Sequence, residues 1–435
     1  MQKIHDAYLT AKGVYKYQSF LKRSIFFSEE EILKFQCKWL HDLLVHAHKN
    51  IPWYSSLFRE VGLDVCSDNP LDELKKLPIL SKKDVKKNHG SFCVAGAANR
   101  SVKLFTSGTS GEPMTAYTSF SQWEIEQGLV WRQWKDAGYK FRDRIAIFRS
   151  YSPGKGQSLI KVDRLRNWSY FSVFDMSDAD IHRYADYLQK WKPSFLRGYP
   201  SALNLVAEHA LRFGWRLPSL RGAFTASEVI PDNLRKNLLA AFNIELFDHY
   251  GQAEITSMFH ECEKHDGMHV NWEYGLVELL PTDEKGIYRI IATNLHNFSM
   301  PLLRYDTGDL AVGFWRNCDC GRSSLKISSI RGRQDDYLFM SDGSRVSPIN
   351  LYTYFANISD IKRFQLVQDR PGELIVMVDF TGFPSEEKLE EFRLGLIDDL
   401  TTKTKLAIIC PSNPKFIQSS QGKLSAFVQR SKSAI

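Results

Sequence analysis

"PSFLRGYPSALNLVAEHALRFG", residues 193–214, decides how the chain folds. Its first third is a short apolar run, "PSFLRGYP", and the remainder carries apolar residues at helical spacing. Working outward, the same alternation recurs. The run "RIAIFRS" (144–150) and the helical "DADIHRYADYLQKW" (178–191) precede it. The run "LRGAFTAS" (220–227), the proline-started "PDNLRKNLLAAF" (231–242) and the run "NIELFDHY" (243–250) follow it. Short strands alternating with helices of ten to fifteen residues predict a mostly parallel α/β sheet between about 100 and 255.

The flanks read differently. In "SEEEILKFQCKWLHDLLVHAHKN" (28–50), Ser28 is a capping residue followed by acids, and His and Lys close the pattern near Asn50 and Pro52. Residues 1–100 are therefore expected to form a helical cap. Beyond 255, "GLVELL" (275–280), "IYRIIATNL" (287–295) and "LAVGFW" (310–315) predict an antiparallel, barrel-like section. Turn residues and charges cluster in "IRGRQDDYLFMSDGSRVSP" (330–348), ahead of "RFQLVQ", "ELIVMVDF" and "SEEKLEEFRLGLIDDL". The boundary is set at about 334, giving a large N-terminal domain, 1–334, and a small α+β domain, 335–435.

With 435 residues, 43% of them hydrophobic, the chain can bury a large core without staples. Its 57 basic and 50 acidic residues are interspersed, and the net charge of +7 is mild for this length. That pattern excludes a dedicated nucleic-acid binder and is compatible with an anionic ligand. No apolar run approaches the roughly 20 residues of a membrane span, and the N-terminus lacks a signal-peptide centre, so a cytoplasmic protein is expected. Seven cysteines then point to thiols or metal ligands rather than disulfides. An oligomer is left open.

Six stretches carry candidate chemistry. "TSGTSGEP" (106–113) sets hydroxyls and two glycines after "VKLF", and Thr106, Ser107, Gly108, Thr109, Ser110 and Gly111 form either a phosphate cradle or an ordinary loop. No Gly-Lys-Ser/Thr follows, so it is not of the Walker type. Ala226 and Ser227 are small enough to let a flat ring lie against a strand end, and Glu228 either faces that ring or caps the next helix. In "ELFDHYGQAE" (245–254), Tyr250 offers a face to a base, Gly251 permits close approach and Glu254 can hold Mg²⁺. A core tyrosine and a surface glutamate are the plain alternative.

In "MPLLRYDTGDLA" (300–311), Asp309 is a turn acid that can accept from a ribose diol or make an Asx turn. Arg333 of "RGRQDD" (331–336) can reach a ribose or phosphate, and Asp335 lies at the domain boundary. Lys423 of "SSQGKLSAF" (419–427) is either a surface lysine or a mobile cation that neutralises developing charge.

In this fixed order the series resembles the adenylate-forming superfamily of acyl-CoA synthetases, nonribosomal adenylation domains and luciferases. Within it the chain is most similar to the phenylacetate:CoA ligase family, in "HAHKNIPWYSSLF" and "GYPSALNLVAEHA" as well, on the branch associated with capsular polysaccharide genes. The resemblance implies the adenylate-forming enzyme fold with a small mobile C-terminal domain. It implies ATP phosphates on 106–113, the adenine among Ala226, Ser227, Glu228, Asp248, Tyr250 and Gly251, and Mg²⁺ on Glu254. It further implies the ribose on Asp309 and Arg333, a hinge at Asp335 and a catalytic Lys423. A carboxylic acid is the implied substrate and coenzyme A the simplest acceptor; a carrier protein, sugar or amine, or a nucleotide-binding protein without turnover, are the alternatives. Met114 and Ala253 depart from the family's lysine and threonine at those positions. The acyl pocket falls to the segment 129–151 and the neighbourhood of Tyr199 and Pro200.

Cys318 and Cys320 in "NCDCGR" follow Cys262 and His269 in "ECEKHDGMH". Three thiols and an imidazole suffice for a closed tetrahedral zinc site, against a reading as buried or surface thiols. The resemblance to the family, which carries a similar arrangement, favours structural zinc on Cys262, His269, Cys318 and Cys320 over His265 as the fourth ligand.

Overall fold

The computed structural model describes residues 2–105, 114–149, 157–173, 176–227, 234–282, 285–331, 361–380, 405–409 and 427–429, with 338–339, 345–346 and the single positions 151, 153, 230, 341, 385, 386, 390 and 392. It divides into two compact units. The first comprises Met1–Leu104, Thr115–Lys140 and Phe247–Gly332; the second comprises Phe105–Met114, Phe141–Leu246 and Arg333–Ile435.

The second unit holds the predicted parallel sheet. Strand Ile145–Phe148 lies parallel to Phe195–Gly198 and to Trp168–Phe171, and Phe195–Gly198 lies parallel to Gly222–Ala226. Helices Asp178–Trp191, Pro200–Phe213 and Leu234–Phe242 supply the crossovers. The first of these starts where Ser177 accepts from the backbone N–H of Asp180, with two acids in its first turn against the positive end of the helix dipole. The helical stripes fill one core: Tyr184 and Leu188, then Leu203, Val206 and Ala210, pack with Phe148, Phe171 and Leu196 of the strands. The strand pair Ile160–Asp163 and Trp168–Phe171 was not legible beforehand, being four residues each around a charged turn.

The described C-terminal strands of this unit run in the order Lys405–Ile409, Glu373–Phe380, Ile361–Gln368, Phe427–Gln429, with the central pair antiparallel and both edges parallel. The helix expected over 385–400 lies largely outside the described residues.

The first unit is helical at its start, as expected. Ser28 caps Glu29–Asn50 in a reciprocal box with Glu31. Helix Gln2–Ser24 rides on Phe120–Asp136, where buried Glu124 binds both Lys12 and Lys16. Two runs of antiparallel strands follow. One runs Leu246–Gly251, Met258–Glu261, Met268–Val270, Lys326–Ile327. The other runs Gly275–Pro281, Ile287–Asn294, Tyr305–Val312, Ser329–Arg331. The barrel-like expectation is corrected: the section is antiparallel but open, because its first and last strands do not pair with each other among the described residues. The strand expected over "LAVGFW" begins earlier, at Tyr305, and stops at Val312. No helix among the described residues is long and apolar enough to cross a membrane.

Candidate active site and metal cluster

Tyr250, Asp309 and Glu254 come together in the first unit. The Tyr250 hydroxyl donates to Asp309 Oδ2 at 2.7 Å. Burial pushes this phenol well above the ordinary tyrosine range, and the Asp309 and Glu254 carboxylates add to the rise. Glu254 is buried, which overturns its reading as a surface glutamate. Its Oε1 accepts from Lys82 Nζ at 2.9 Å and from Tyr305 Oη at 3.0 Å.

Asp309 is not a turn acid. It lies within strand Tyr305–Val312, where Thr307, Gly308 and Asp309 bulge opposite the single residue Ile290. Gly308 takes φ +75° there. The turn bonds belong to neighbours: Asp306 Oδ1 accepts from the Gly308 N–H at 3.0 Å, and Thr307 Oγ1 accepts from the Asp309 N–H at 3.1 Å. The bulge thereby aims the Asp309 carboxylate at Tyr250. Asp248 is held through its backbone, its N–H donating to Glu261 Oε2 and its carbonyl accepting from Gln133 Nε2 at 2.7 Å. Gly251 ends the strand, exposed.

In the second unit, Ala226 ends strand Gly222–Ala226 and Ser227 follows with φ +78°. A serine in that region costs roughly 1 kcal/mol or more, a strain that recurs where backbone is shaped for a ligand. Residues 106–111, Glu228, Arg333, Asp335 and Lys423 lie outside the described residues.

Lys82 and Tyr305 are the site residues that sequence reasoning missed. Tyr305 sits inside "RYDTGDL", so the motif was in hand and its tyrosine unassigned. Lys82 opens a helix of six residues behind a Ser81–Asp84 capping box, and nothing in "LSKKDV" signals a partner 172 positions away.

The cysteine cluster forms on the other sheet ends. Cys262 follows strand Met258–Glu261, His269 lies in Met268–Val270, and Cys318 and Cys320 occupy a turn closed by the Gly321 N–H on the Cys318 carbonyl. The four ligand atoms lie within 4.8 Å of one another. Cys262 Sγ and Cys318 Sγ are 3.8 Å apart, and Cys320 Sγ is 3.4 Å from His269 Nε2. Tetrahedral bonds of about 2.3 Å to sulfur and about 2.0 Å to nitrogen require separations of about 3.8 and 3.5 Å, so the donor set fits zinc. Gly267 lets the strands close: a Cβ there would lie 2.3 Å from the Ile327 carbonyl oxygen.

Burial pushes the His269 imidazole down to about 4, leaving it neutral with a lone pair to give, while its Nδ1 contacts Ser324 Oγ at 3.1 Å. Burial raises Cys262, and raises Cys320 to about 12. Against the upward push of burial, Cys318 is drawn down by hydrogen bonds from Cys320 and from Lys326 Nζ at 3.3 Å. His265 turns elsewhere, with Nδ1 3.3 Å from Glu261 Oε2, so the fourth donor is His269.

Comparisons with known proteins fall where this geometry points. The family model described as AMP-binding enzyme matches residues 71–275. A phenylacetate-coenzyme A ligase of Thermus thermophilus is 25% identical over 359 residues, 79% of this chain and 80% of that protein. Protein CapK of Staphylococcus aureus is 23% identical over 361 residues, 80% of this chain and 78% of that protein. A crystal structure of 2-hydroxyisobutyryl-CoA ligase in complex with 2-HIB-AMP and CoA shares the fold, with TM-score 0.60 at 18% identity over 94% of this chain and 92% of that one. The fold is that of the adenylate-forming CoA ligases, and it carries the AMP-binding match. The curated relatives that the chain matches over about four fifths of its length are phenylacetate-coenzyme A ligases and protein CapK.

Proposed function

We propose that the protein activates a carboxylic acid with ATP and passes the acyl group to the thiol of coenzyme A. One substrate carboxylate oxygen attacks the α-phosphorus of ATP, the bond to pyrophosphate breaks, and an acyl-adenylate forms. The thiol sulfur then attacks the acyl carbon, its proton leaves, and AMP departs. The observation that carries this reading is the meeting of Tyr250 and Glu254, from one motif, with Asp309 from another some 55 residues on, in an adenylate-forming fold.

Each residue has a task in that scheme. Asp309 accepts from the ribose diol, oriented by Tyr250, whose ring lies beside the adenine with Asp248, Gly251, Ala226, Ser227 and Glu228. A divalent cation such as Mg²⁺, held by Glu254, would neutralise phosphate charge. Lys82 pairs with Glu254 and would yield that carboxylate to the cation. Residues 106–111 hold phosphate oxygens and Arg333 the ribose. The C-terminal domain, from about residue 335, pivots at Asp335 and brings Lys423 to the reacting phosphate. Zinc on Cys262, His269, Cys318 and Cys320 is structural, because all four positions are protein ligands. A cytoplasmic enzyme with a role in capsular polysaccharide formation completes the proposal.

Acid-dependent pyrophosphate release, measured over a panel of carboxylic acids with and without coenzyme A, tests the reaction. Lys423→Ala is expected to keep ATP binding and to lose at least tenfold in adenylation, about 1.4 kcal/mol of barrier. Pyrophosphate exchange at the unaltered rate would remove Lys423 from the mechanism.

A further inference from the structure

Strand Leu246–Gly251 has two unlike faces. Tyr250 packs with Phe259, Met268 and Val270 on one. On the other, His249 stands directly across from His260, their rings 4.9 Å apart, and His260 stands across from His269. The Asn271 N–H bonds to the Met258 carbonyl, which sets Asn271 on this second face too. Helix Phe120–Asp136 covers it. Arg132 donates to Asn271 Oδ1 at 2.8 Å and to Glu273 Oε1 at 2.6 Å, while Ile125 and Leu129 pack on Met258.

On this covered face, His260 Nε2 and Asn271 Nδ2 have no hydrogen-bond partner among the described residues. Their residues are 2% and 3% exposed. Asn271 cannot turn its amide around, because Arg132 needs the oxygen as acceptor. Buried groups of this kind are seldom left unpaired, and a site that keeps them is matched to a ligand that pairs them. The strand in question carries Asp248 and Tyr250, and the covering helix overlaps the segment to which the acyl pocket was assigned.

Resting on the carboxylate-activating reading, we propose that the acid is an oxygen-bearing one, a hydroxy or keto acid, rather than a plain hydrocarbon acid. Its substituent oxygen accepts from Asn271 Nδ2 and pairs with His260 Nε2. A hydrocarbon chain of the same shape would bury both groups unpaired and is selected against.

Matched pairs decide it: phenylacetate with 4-hydroxyphenylacetate, and butyrate with 3-hydroxybutyrate, each in acid-dependent pyrophosphate release. The oxygenated member is expected to lead by at least tenfold in kcat/KM in one pair or both. His260→Phe should shrink that lead below threefold with ATP affinity kept, and His260→Gln, which retains an N–H donor, should restore part of it. Equal rates for both members, or a lead that survives His260→Phe, overturn the proposal while leaving carboxylate activation intact. If no acid releases pyrophosphate, the reaction itself is refuted. The same pairs are then read by thermal shift in the presence of ATP: a shift selective for the oxygenated acid and lost in His260→Phe upholds the proposal, and no selective shift overturns it.

Discussion

The Tyr250 cluster and the cysteine cluster are built on the same unit by opposite rules. Around Tyr250 the polar groups already satisfy one another: hydroxyl to Asp309, ammonium and second hydroxyl to Glu254. Around Cys262 the donor atoms crowd to 3.4 and 3.8 Å, although thiols gain little from one another. Groups that pair among themselves can exchange partners at small net cost, which suits a substrate that arrives and leaves. Soft donors held at tetrahedral separations suit one resident ion.

If that contrast is sound, the largest effect lies in the cysteine cluster. Cys318→Ala should abolish stoichiometric zinc and cost several kcal/mol of stability, below the roughly 10–16 kcal/mol of small zinc-dependent peptides because a large core shares the load. Metal analysis with chelator-dependent thermal unfolding reads both. Undiminished stability in metal-free protein would break the contrast at its stronger end.

Next in size is Glu254. Glu254→Gln is expected to lower adenylation about a hundredfold, the scale for losing one electrostatic stabiliser. It also strands Lys82, so stability should fall. Lys82→Met in the Glu254→Gln background should recover stability without recovering turnover. Recovery of both would mean that Lys82 and Glu254 form only a structural pair.

How far this was legible in the sequence follows the same division. The parallel sheet could be read because Leu196, Leu203 and Val206 obey strand and helix periods that local sequence records. The cysteine ligands could be read because few residue types offer soft donors. The pairing of Lys82 with Glu254 could not, since a lysine at a helix start is ordinary and only the folded chain sets it 2.9 Å from a carboxylate. The openness of the second sheet was likewise invisible: alternation predicts antiparallel neighbours but not whether the outer strands meet. Asp309 was picked for the right residue type and the wrong local structure, because a Thr-Gly-Asp string reads as a turn and the bulge depends on Ile290 across the sheet.

Tyr250→Phe is the finest probe of the contrast, for it removes one oxygen and keeps the ring. The lost hydrogen bond to a carboxylate is worth about 1.5 kcal/mol or a little more, roughly tenfold in an equilibrium constant. Because the hydroxyl orients Asp309 and touches no reacting atom, the loss should fall on KM for ATP and leave kcat nearly unchanged. The pH profile sharpens the point. Burial and the Asp309 charge hold the phenol protonated well past the ordinary tyrosine range, so wild-type KM for ATP should show no tyrosine-dependent rise near pH 10. In the unfolded chain the same phenol ionises at its ordinary value. The folded state therefore binds one more proton above that point, and stability should fall as pH rises through about 10, by less in Tyr250→Phe. A KM that climbs near pH 10 in the wild type and stays flat in Tyr250→Phe would show the hydroxyl ionising in the folded state. The Tyr250 cluster would then be wet and loosely held rather than paired within itself.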